Sequence, residues 1–324
     1  MHPYENLTPD VILDAIDASG HRCDGRLQAL NSYENRVYQV GQDEGPPLIA
    51  KFYRPQRWSD AAILEEHAYS SELAAREIPV VAPLPLDGSH TLGQHLDFRF
   101  ALYPKQPGRQ PELDNTDTLE WLGRFMGRIH AVGALTAFQA RPTLDIASFG
   151  EEPVAFILQH GNLPPELQTP YATLTEQLLP LIRQRWQEAG AGSNLRLHGD
   201  CHPGNILWTE AGPHFVDFDD CRMGPAIQDL WMLLSGERRE QQSQLGLLID
   251  GYSEFADFDE RELSLIEPLR TLRMLHYSAW LARRWDDPAF PANFPWFNSQ
   301  RYWQDQILAL REQQAALQEA PLRI

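Results

Sequence analysis

The sequence predicts an α+β fold with two lobes, a small one built on an antiparallel sheet and a larger one that is mainly helical. Three observations support this prediction. Short runs of β-forming residues crowd the first third of the chain, a stretch with proline and glycine follows at 104–108, and apolar residues then recur with a helical period. We therefore expect a first lobe over 1–103, a hinge over 104–110 and a second lobe over 111–324.

The first lobe should begin with an amphipathic helix over about 7–20. Three β-forming runs follow at 27–30, 36–40 and 48–53, and the polar turn 31–35 joins the first two of them. These runs are predicted to be strands of the antiparallel sheet.

One helix is predicted within this sheet. Ser59 can cap its first turn, and the helix should end near Arg76 because Pro79 follows. Apolar runs at 80–86 and 98–103 are predicted to be further strands of the lobe.

The second lobe is predicted to be helical over most of its length. Apolar side chains recur at helical spacing between 119 and 133. Further helices are predicted at 166–188, 226–236, 259–286 and 299–319. Between them, residues 195–221 form a compact segment of short strands and loops that is dense in aspartate and histidine.

The composition excludes several classes of protein. Apolar residues make up 43% and charged residues 22% of the 324 positions, which is typical of globular rather than disordered or fibrous chains. A net charge of -18 argues against nucleic acid as a partner, because phosphate backbones attract basic surfaces. We see no membrane-spanning run, no signal-peptide pattern and no disulfide framework among three cysteines, so we expect a cytoplasmic protein.

The segment 195–221 carries residues that suit phosphoryl transfer. Asp200 and Asn205 lie in one loop, and Asp217 follows an apolar run further on. Phosphoryl transfer needs a carboxylate that accepts the proton of the acceptor hydroxyl, and oxygen ligands that hold Mg²⁺ on the phosphates. We interpret Asp200 as the base and Asn205 with Asp217 as the metal ligands, although aspartate and asparagine are also common in plain surface turns.

A transition-metal site is the alternative for the same segment. His198, Asp200, His202 and Asp217 could bind zinc, which would indicate a metallohydrolase. We favour structural roles for both histidines, because no third histidine lies nearby in the run. Cys201 is expected to be a packed thiol.

Lys51 stands out because lysine is rare here: among 27 basic residues, only Lys51 and Lys105 are lysines. Lys51 lies on the third predicted strand, where kinases place a lysine that binds phosphate and pairs with a glutamate on the next helix. Glu66 shares the apolar face of that helix whereas Glu65 does not, so we predict that Glu66 is the partner. Lys105 is expected to be solvated.

Two further polar residues have open roles. The turn 31–35 lies where kinases have a glycine-rich loop, but it lacks those glycines; Ser32 could contact phosphate, or the turn could be a plain hairpin. Asp229 could accept amides of the 198–205 loop, or it could be an ordinary carboxylate at a helix start.

Residues 198–205 read HGDCHPGN, 216–218 read VDF and 123–130 read GRFMGRIH. These strings resemble motifs of the aminoglycoside phosphotransferase and choline kinase superfamily, a branch of the protein-kinase-like fold. Longer strings resemble a narrower family of bacterial stress response kinases, and this resemblance runs from about residue 7 to residue 322. The matching strings are 30–38, 51–55, 63–67, 197–202, 224–234 and 287–291.

The resemblance implies a two-lobed, monomeric, cytoplasmic serine/threonine protein kinase that uses ATP and Mg²⁺, phosphorylates itself and acts in bacterial stress survival. The first lobe would then bind the nucleotide. The family's base matches Asp200, its metal residues match Asn205 and Asp217, and its ATP-site serine matches Ser32. We therefore predict Asp200 and Asp217 as catalytic. The residues predicted to contact nucleotide or metal are Ser32, Lys51, Glu66, Asn205 and Asp217.

Two other functions remain open at this point. A small-molecule phosphotransferase acting on an amino sugar or amino alcohol would use the same residues, and the acidic surface suits a cationic small substrate as well as a basic peptide. A non-catalytic nucleotide-binding scaffold is disfavoured, because it would have no need of the base Asp200. We expect neither nucleic acid nor a membrane as a partner.

Overall fold

The computed structural model describes residues 2–86, 88, 90–161, 163–190 and 192–324. A five-stranded antiparallel sheet occupies the N-terminal third, with its strands in the spatial order β1-β2-β3-β5-β4. These strands are β1 (Cys23–Ala29), β2 (Arg36–Gln42), β3 (Leu48–Phe52), β4 (Gly93–His95) and β5 (Phe98–Pro104).

Two helices accompany this sheet, α1 (Pro9–Ala18) and α2 (Asp60–Ala75). Each begins at a hydroxyl cap: Thr8 accepts from the amide of Val11, and Ser59 accepts from the amide of Ala62, as the sequence predicts for α2. Helix α1 packs its apolar side on the sheet, while α2 turns Glu66 and its buried neighbours inward.

The rest of the chain is mainly helical and contains two small antiparallel sheets. The helices are α3 (Thr116–Gly133), α4 (Glu152–His160), α5 (Pro165–Ala189), α6 (Ile227–Leu230), α7 (Arg238–Ser253), α8 (Ile266–Arg283), α9 (Ala289–Asn293) and α10 (Gln300–Ala316). One sheet joins β6 (Leu195–Leu197) to β9 (Arg222–Gly224), and the other joins β7 (Ile206–Thr209) to β8 (Gly212–Phe215). Short 3₁₀ or π turns cover Ala147–Glu151, Pro203–Asn205, Phe218–Asp220, Trp231–Leu233 and Glu260–Leu265.

Helices α3 and α7 cross at very short range through glycines. A Cβ atom added at Gly123 would collide with the carbonyl oxygen of Leu248, and one added at Gly127 would collide with that of Tyr252. The glycines of the 123–130 motif are therefore explained by helix packing. This contact lies in the largest apolar core, which also contains Cys201 behind the 198–205 loop.

The α+β class and the mixed and helical parts are confirmed, but one predicted strand is wrong. Residues 80–86 form no ladder, because Pro83 and Pro85 lack the amides that a ladder needs. The chain is instead held by single bonds: the amide of Val81 donates to the carbonyl of Phe215 at 3.0 Å, and that of Leu84 donates to Leu102 at 2.7 Å.

The helix predictions also need corrections. The predicted helix 226–236 is only the short α6 followed by a 3₁₀ turn, and the predicted helix 259–286 begins as a 3₁₀ turn before α8. Pro268 lies in the first turn of α8, where the missing amide of a proline costs no helical hydrogen bond, which is consistent with α8 starting at Ile266. Helices α4, α7 and α9 were not predicted.

The lobe boundaries 1–103, 104–110 and 111–324 stay a prediction. Among the described residues, no helix has both the length and the apolar content that crossing a membrane requires.

Replacing Gly123 with alanine should lower the free energy of unfolding by about 1–3 kcal/mol, because α3 and α7 would have to move apart. Gly246 on α7 is the matched control: its added Cβ would meet no atom within 4 Å, so Gly246→Ala should stabilise the helix by about 0.5–1 kcal/mol. Urea unfolding curves measure both. Equal effects of the two substitutions would contradict the packing explanation.

Candidate active site

One buried carboxylate, that of Asp229, anchors the loop after β6. Asp229 accepts the amide of His198 at 2.7 Å and the amide of Gly199 at 2.8 Å, and His130 Nε2 lies 3.2 Å from it. Burial raises the pKa of Asp229, but the hydrogen bond with His130 helps to outweigh burial and the pKa lies below its usual value. The suggested role of Asp229 as the support of this loop is confirmed.

Gly199 is required at its position for two reasons. Its φ is +85°, which side chains rarely adopt, and an added Cβ would collide with the carbonyl oxygen of Asp220. The loop can therefore run tightly against the Phe218–Asp220 turn. This close approach sets the position of Asp200, the next residue.

The carboxylate of Asp200 faces two basic side chains. Its Oδ1 accepts from Arg273 Nη1 at 2.5 Å, and its Oδ2 lies 3.5 Å from His202 Nε2. The Asn205 side chain donates through Nδ2 to the backbone carbonyl of Asp200 at 3.0 Å, so the amide is oriented with Oδ1 as its acceptor end. Burial lowers the pKa of His202, against the pull of Asp200.

Asp217 has a strained backbone and an accessible side chain. Its φ of +61° places a residue with a Cβ in the left-handed region, and 54% of its side chain is exposed. The backbone amide of the preceding residue, Val216, donates to the carbonyl of Asn205 at 3.0 Å. This hydrogen bond connects the backbone of Asn205 to the residue just before Asp217.

Lys51 lies at the centre of three carboxylates. Its Nζ is 3.2 Å from Glu66 Oε1, 3.1 Å from Asp217 Oδ1 and 3.2 Å from Asp219 Oδ1. Burial works against the charge of Lys51, but the three carboxylates outweigh it and raise its pKa well above the usual value. The structure therefore brings Lys51, Glu66 and Asp217 together, as the sequence predicts.

Arg141 is a second cation on Glu66, and it was not predicted. Its buried guanidinium donates to Glu66 Oε2 at 2.8 Å, to the carbonyl of Ala62 at 2.7 Å and to the carbonyl of Asp219 at 2.5 Å. Glu65 has a different role: its carboxylate accepts the backbone amides of 139–141. Both of these adjacent acids on α2 therefore bind the loop after α3, Glu65 through backbone amides and Glu66 through the Arg141 side chain.

A further arginine, Arg57, extends the ionic network from the loop before α2. It donates to Asp219 at 2.5 Å and to Asp220 at 2.8 Å, and Arg222 also donates to Asp220 at 2.8 Å. Burial raises the pKa of Asp220, but the two arginines outweigh it and hold that pKa far below its usual value. The acidic turn after Asp217 is neutralised by arginines from both parts of the chain.

The turn 31–35 contacts α8 through Glu34, and it contacts Phe294, the residue after α9, through Tyr33. Ser32 Oγ accepts the amide of Val37 at 3.0 Å and so links the turn to β2. The contact of Ser32 with phosphate stays a prediction. Glu34 accepts a hydrogen bond from Trp280 Nε1 at 2.5 Å and forms an ion pair with Arg284, whose Nε lies 2.5 Å from the same carboxylate. Ser32 is therefore placed in a turn that is fixed at its outer end.

One ring nitrogen of each loop histidine is bonded to a backbone atom, and this does not favour the zinc alternative. His198 Nε2 lies 2.9 Å from the carbonyl of Val216, and His202 Nδ1 accepts the amide of Gly204 at 3.0 Å. In the part of the chain that the structure describes, no three His, Cys, Asp or Glu side chains are grouped to hold a metal ion. The amide of Asn205 and the carboxylate of Asp217 are hard oxygen donors, which fit Mg²⁺ shared with phosphates.

The remaining residues singled out in the sequence lie where they were expected. Cys201 is buried against Met126, and burial raises the pKa of its thiol well above the usual value. Lys105 is exposed. The three cysteines are free thiols.

Comparison with known proteins agrees with this geometry. Residues 26–266 match the model of the phosphotransferase enzyme family. The chain belongs to this family.

Its relatives include stress response kinase A of Escherichia coli K12, which is 46% identical over 321 residues and covers 99% of this chain and 97% of that protein. A Salmonella typhimurium LT2 relative named serine/threonine protein kinase RdoA has the same identity and coverage. The solved structure of amicoumacin kinase hAmiN, bound to AMP-PNP, Ca²⁺ and Ami, has a TM-score of 0.69 at 20% identity, over 89% of this chain and 90% of that one. The last likeness concerns the fold alone.

Two histidines near the site, the buried His67 and the partly buried His276, should make stability depend on pH. Burial lowers the pKa of His67 and of His276 to about 3 each. Both rings stay neutral in the folded protein but bind a proton near pH 6.5 when the chain unfolds. Stability should therefore fall as the pH drops from about 7 to about 5, by up to about 1.4 kcal/mol per pH unit for each histidine.

Denaturant unfolding at several pH values measures this slope. The control is the double substitution of His67 and His276 by glutamine, which should flatten the slope whatever it does to absolute stability. An unchanged slope in that variant would assign the pH dependence to other groups.

Proposed function

We propose that this chain is an ATP- and Mg²⁺-dependent serine/threonine protein kinase that acts in the bacterial stress response and phosphorylates itself. The observation that carries the proposal is the contact of Lys51 with both Glu66 and Asp217, next to the loop that bears Asp200. The full-length identity with proteins named stress response kinase A supports the biological role. The fold alone would not separate protein from small-molecule acceptors.

The proposed roles follow from charge and position. Lys51, held by Glu66, would bind the phosphates of ATP, with Ser32 on the turn above them. Asn205 and Asp217 would hold Mg²⁺, which neutralises phosphate charge when it is bound. In this state Lys51 would exchange part of its contact with Asp217 for contact with phosphate.

Asp200 would act on the acceptor. Its carboxylate orients the hydroxyl of a serine or threonine and takes the proton as the oxygen attacks the γ-phosphorus. The new oxygen–phosphorus bond forms while the bond from phosphorus to the bridging oxygen breaks, and ADP leaves with that electron pair. Asn205 supports this step by holding the backbone carbonyl of Asp200.

A small-molecule acceptor is the second candidate, and two observations favour it. The net charge of -18 suits a cationic substrate, and the similar fold of amicoumacin kinase belongs to an enzyme named for a small molecule. The protein acceptor remains our proposal because the relatives at 46% identity include a named protein kinase. We also propose a monomer located in the cytoplasm, with no nucleic-acid partner.

Replacing Asp200 with asparagine should lower the rate of phosphoryl transfer at least about 10²-fold, because the amide cannot accept the proton. Nucleotide affinity should stay within about threefold, since the residues proposed to bind phosphate are untouched. Transfer from γ-labelled ATP and fluorescent-nucleotide titration measure the two effects. Undiminished transfer would remove Asp200 from the role of base.

The acceptor class can be tested directly with labelled ATP and Mg²⁺. The chain is incubated alone, with a generic protein acceptor, and with a panel of amino sugars and amino alcohols. Label on protein is the expected result, and Asp200→Asn is the matched control for contaminating kinases. Label on a small molecule alone would make the second candidate correct, and nucleotide binding without any transfer would indicate a scaffold.

A further inference from the structure

Arg273 on α8 contacts the proposed base but has been given no role so far. Its Nη1 lies 2.5 Å from Asp200 Oδ1, and 42% of its side chain is exposed. A guanidinium carries five N–H donors, so this contact uses only a part of it. Within the described residues, no other ion pair or hydrogen bond occupies Arg273, and its remaining donors face solvent beside the carboxylate.

The part of α8 that bears Arg273 is fixed by core packing, and this packing sets the position of the Arg273 side chain. The neighbouring Leu272 and Leu275 are buried in the core on the other side of α8. One turn further along the exposed face, Tyr277 stacks on Trp280 at 5.6 Å, and Trp280 donates to Glu34 of the 31–35 turn. This face of α8 therefore runs from Asp200 to the turn of the sheet.

The other basic groups near Asp200 cannot supply a free positive charge. His202 accepts the amide of Gly204 through Nδ1, and a ring nitrogen that accepts carries no proton, so this ring is neutral. Arg222 is buried and bonded to the side chain and the carbonyl of Asp220. Lys51 is enclosed by three carboxylates on the far side of Asp217. Arg273 is thus the accessible cation at the base.

Phosphoryl transfer creates a need for such a cation. During transfer the phosphoryl group moves towards an oxygen that Asp200 itself contacts, so two anionic groups approach each other. A cation that touches both relieves this repulsion more in the transition state than in the ground state, which accelerates the step. The planar fork of arginine can bind a carboxylate with one arm and a phosphoryl oxygen with the other.

We propose that Arg273 is a further catalytic residue, which holds Asp200 with one arm and contacts the phosphoryl group in transfer with the other. The bond changes are those of the transfer itself: acceptor oxygen to phosphorus forms, phosphorus to bridging oxygen breaks, and the hydroxyl proton goes to Asp200. Arg273 stays protonated throughout. The inference rests on the proposed phosphoryl transfer but not on the class of acceptor.

The test compares Arg273→Gln, Arg273→Lys and Arg273→Gly with the unmodified chain, using whichever acceptor that chain labels. Arg273→Gln should lower the turnover number by about 10²-fold, while the KM values for ATP and for the acceptor stay within about threefold. Arg273→Lys should recover part of the loss, because an ammonium keeps the charge but not the fork.

Chemical rescue separates catalysis from structure. Guanidinium ion, added below the concentration that unfolds the protein, should raise the turnover of Arg273→Gly at least about tenfold and leave Arg273→Gln unchanged, because only glycine leaves room for it. A structural defect would not be restored by a free ion. Arg301→Gln is the matched control: Arg301 is an exposed arginine on α10 that pairs with Asp305 and with no other residue among those described, and its loss should change neither constant.

Three results would overturn the inference. Turnover of Arg273→Gln within threefold of the original excludes a catalytic role. A raised KM for the acceptor with turnover retained shows that Arg273 recognises the acceptor instead, and a loss without rescue in Arg273→Gly shows a structural role. If the unmodified chain labels only a small molecule, the protein-kinase proposal fails while the Arg273 test proceeds on that molecule. If it transfers phosphate to nothing, both proposals fail.

Discussion

The ion cluster around Lys51 is the interaction on which the rest of the site depends. One buried ammonium contacts three carboxylates, which come from α2 and from the turn after β8. Buried carboxylates are costly unless cations and hydrogen bonds compensate them. Arg141 and Arg57 supply that compensation at Glu66 and Asp219, so the cluster is a balanced set of charges rather than one pair.

This balance explains why α2 is fixed with respect to the loops that carry Asp200 and Asp217. Arg141 joins α2 to the Phe218–Asp220 turn, and Glu65 binds three consecutive amides of the loop after α3. Removing Glu66 would leave the buried guanidinium of Arg141 without this acceptor, which costs more than the net strength of the bond itself. The alignment of Lys51 with Glu66 is therefore part of the folded core, and no separate movement of α2 is needed to form it.

The sequence predicts those parts of the site that local rules determine. Helical phase identifies Glu66 rather than Glu65 as the partner of Lys51, and the rarity of lysine makes Lys51 conspicuous. Arg141 and Arg273 were not predicted, because arginine is common in this chain and each lies far along the chain from its partner. Likewise, 80–86 has the apolar content of a strand, and only its prolines reveal that it cannot pair as one.

Although the net charge is -18, the arginines of this chain have a structural role at the contact between the sheet and the helices. Arginines gather where the sheet meets the helices: Arg36 and Arg54 both bind the buried Asp287, at 3.1 and 3.0 Å, and Arg284 binds Glu34. A guanidinium can bridge several acceptors at once, whereas an ammonium is a compact point charge. Arginine therefore serves the contacts that hold the sheet on the helices, and Lys51 lies where a small cation must fit among three carboxylates. Arg273, whose N–H donors are only partly used, likewise lies beside Asp200.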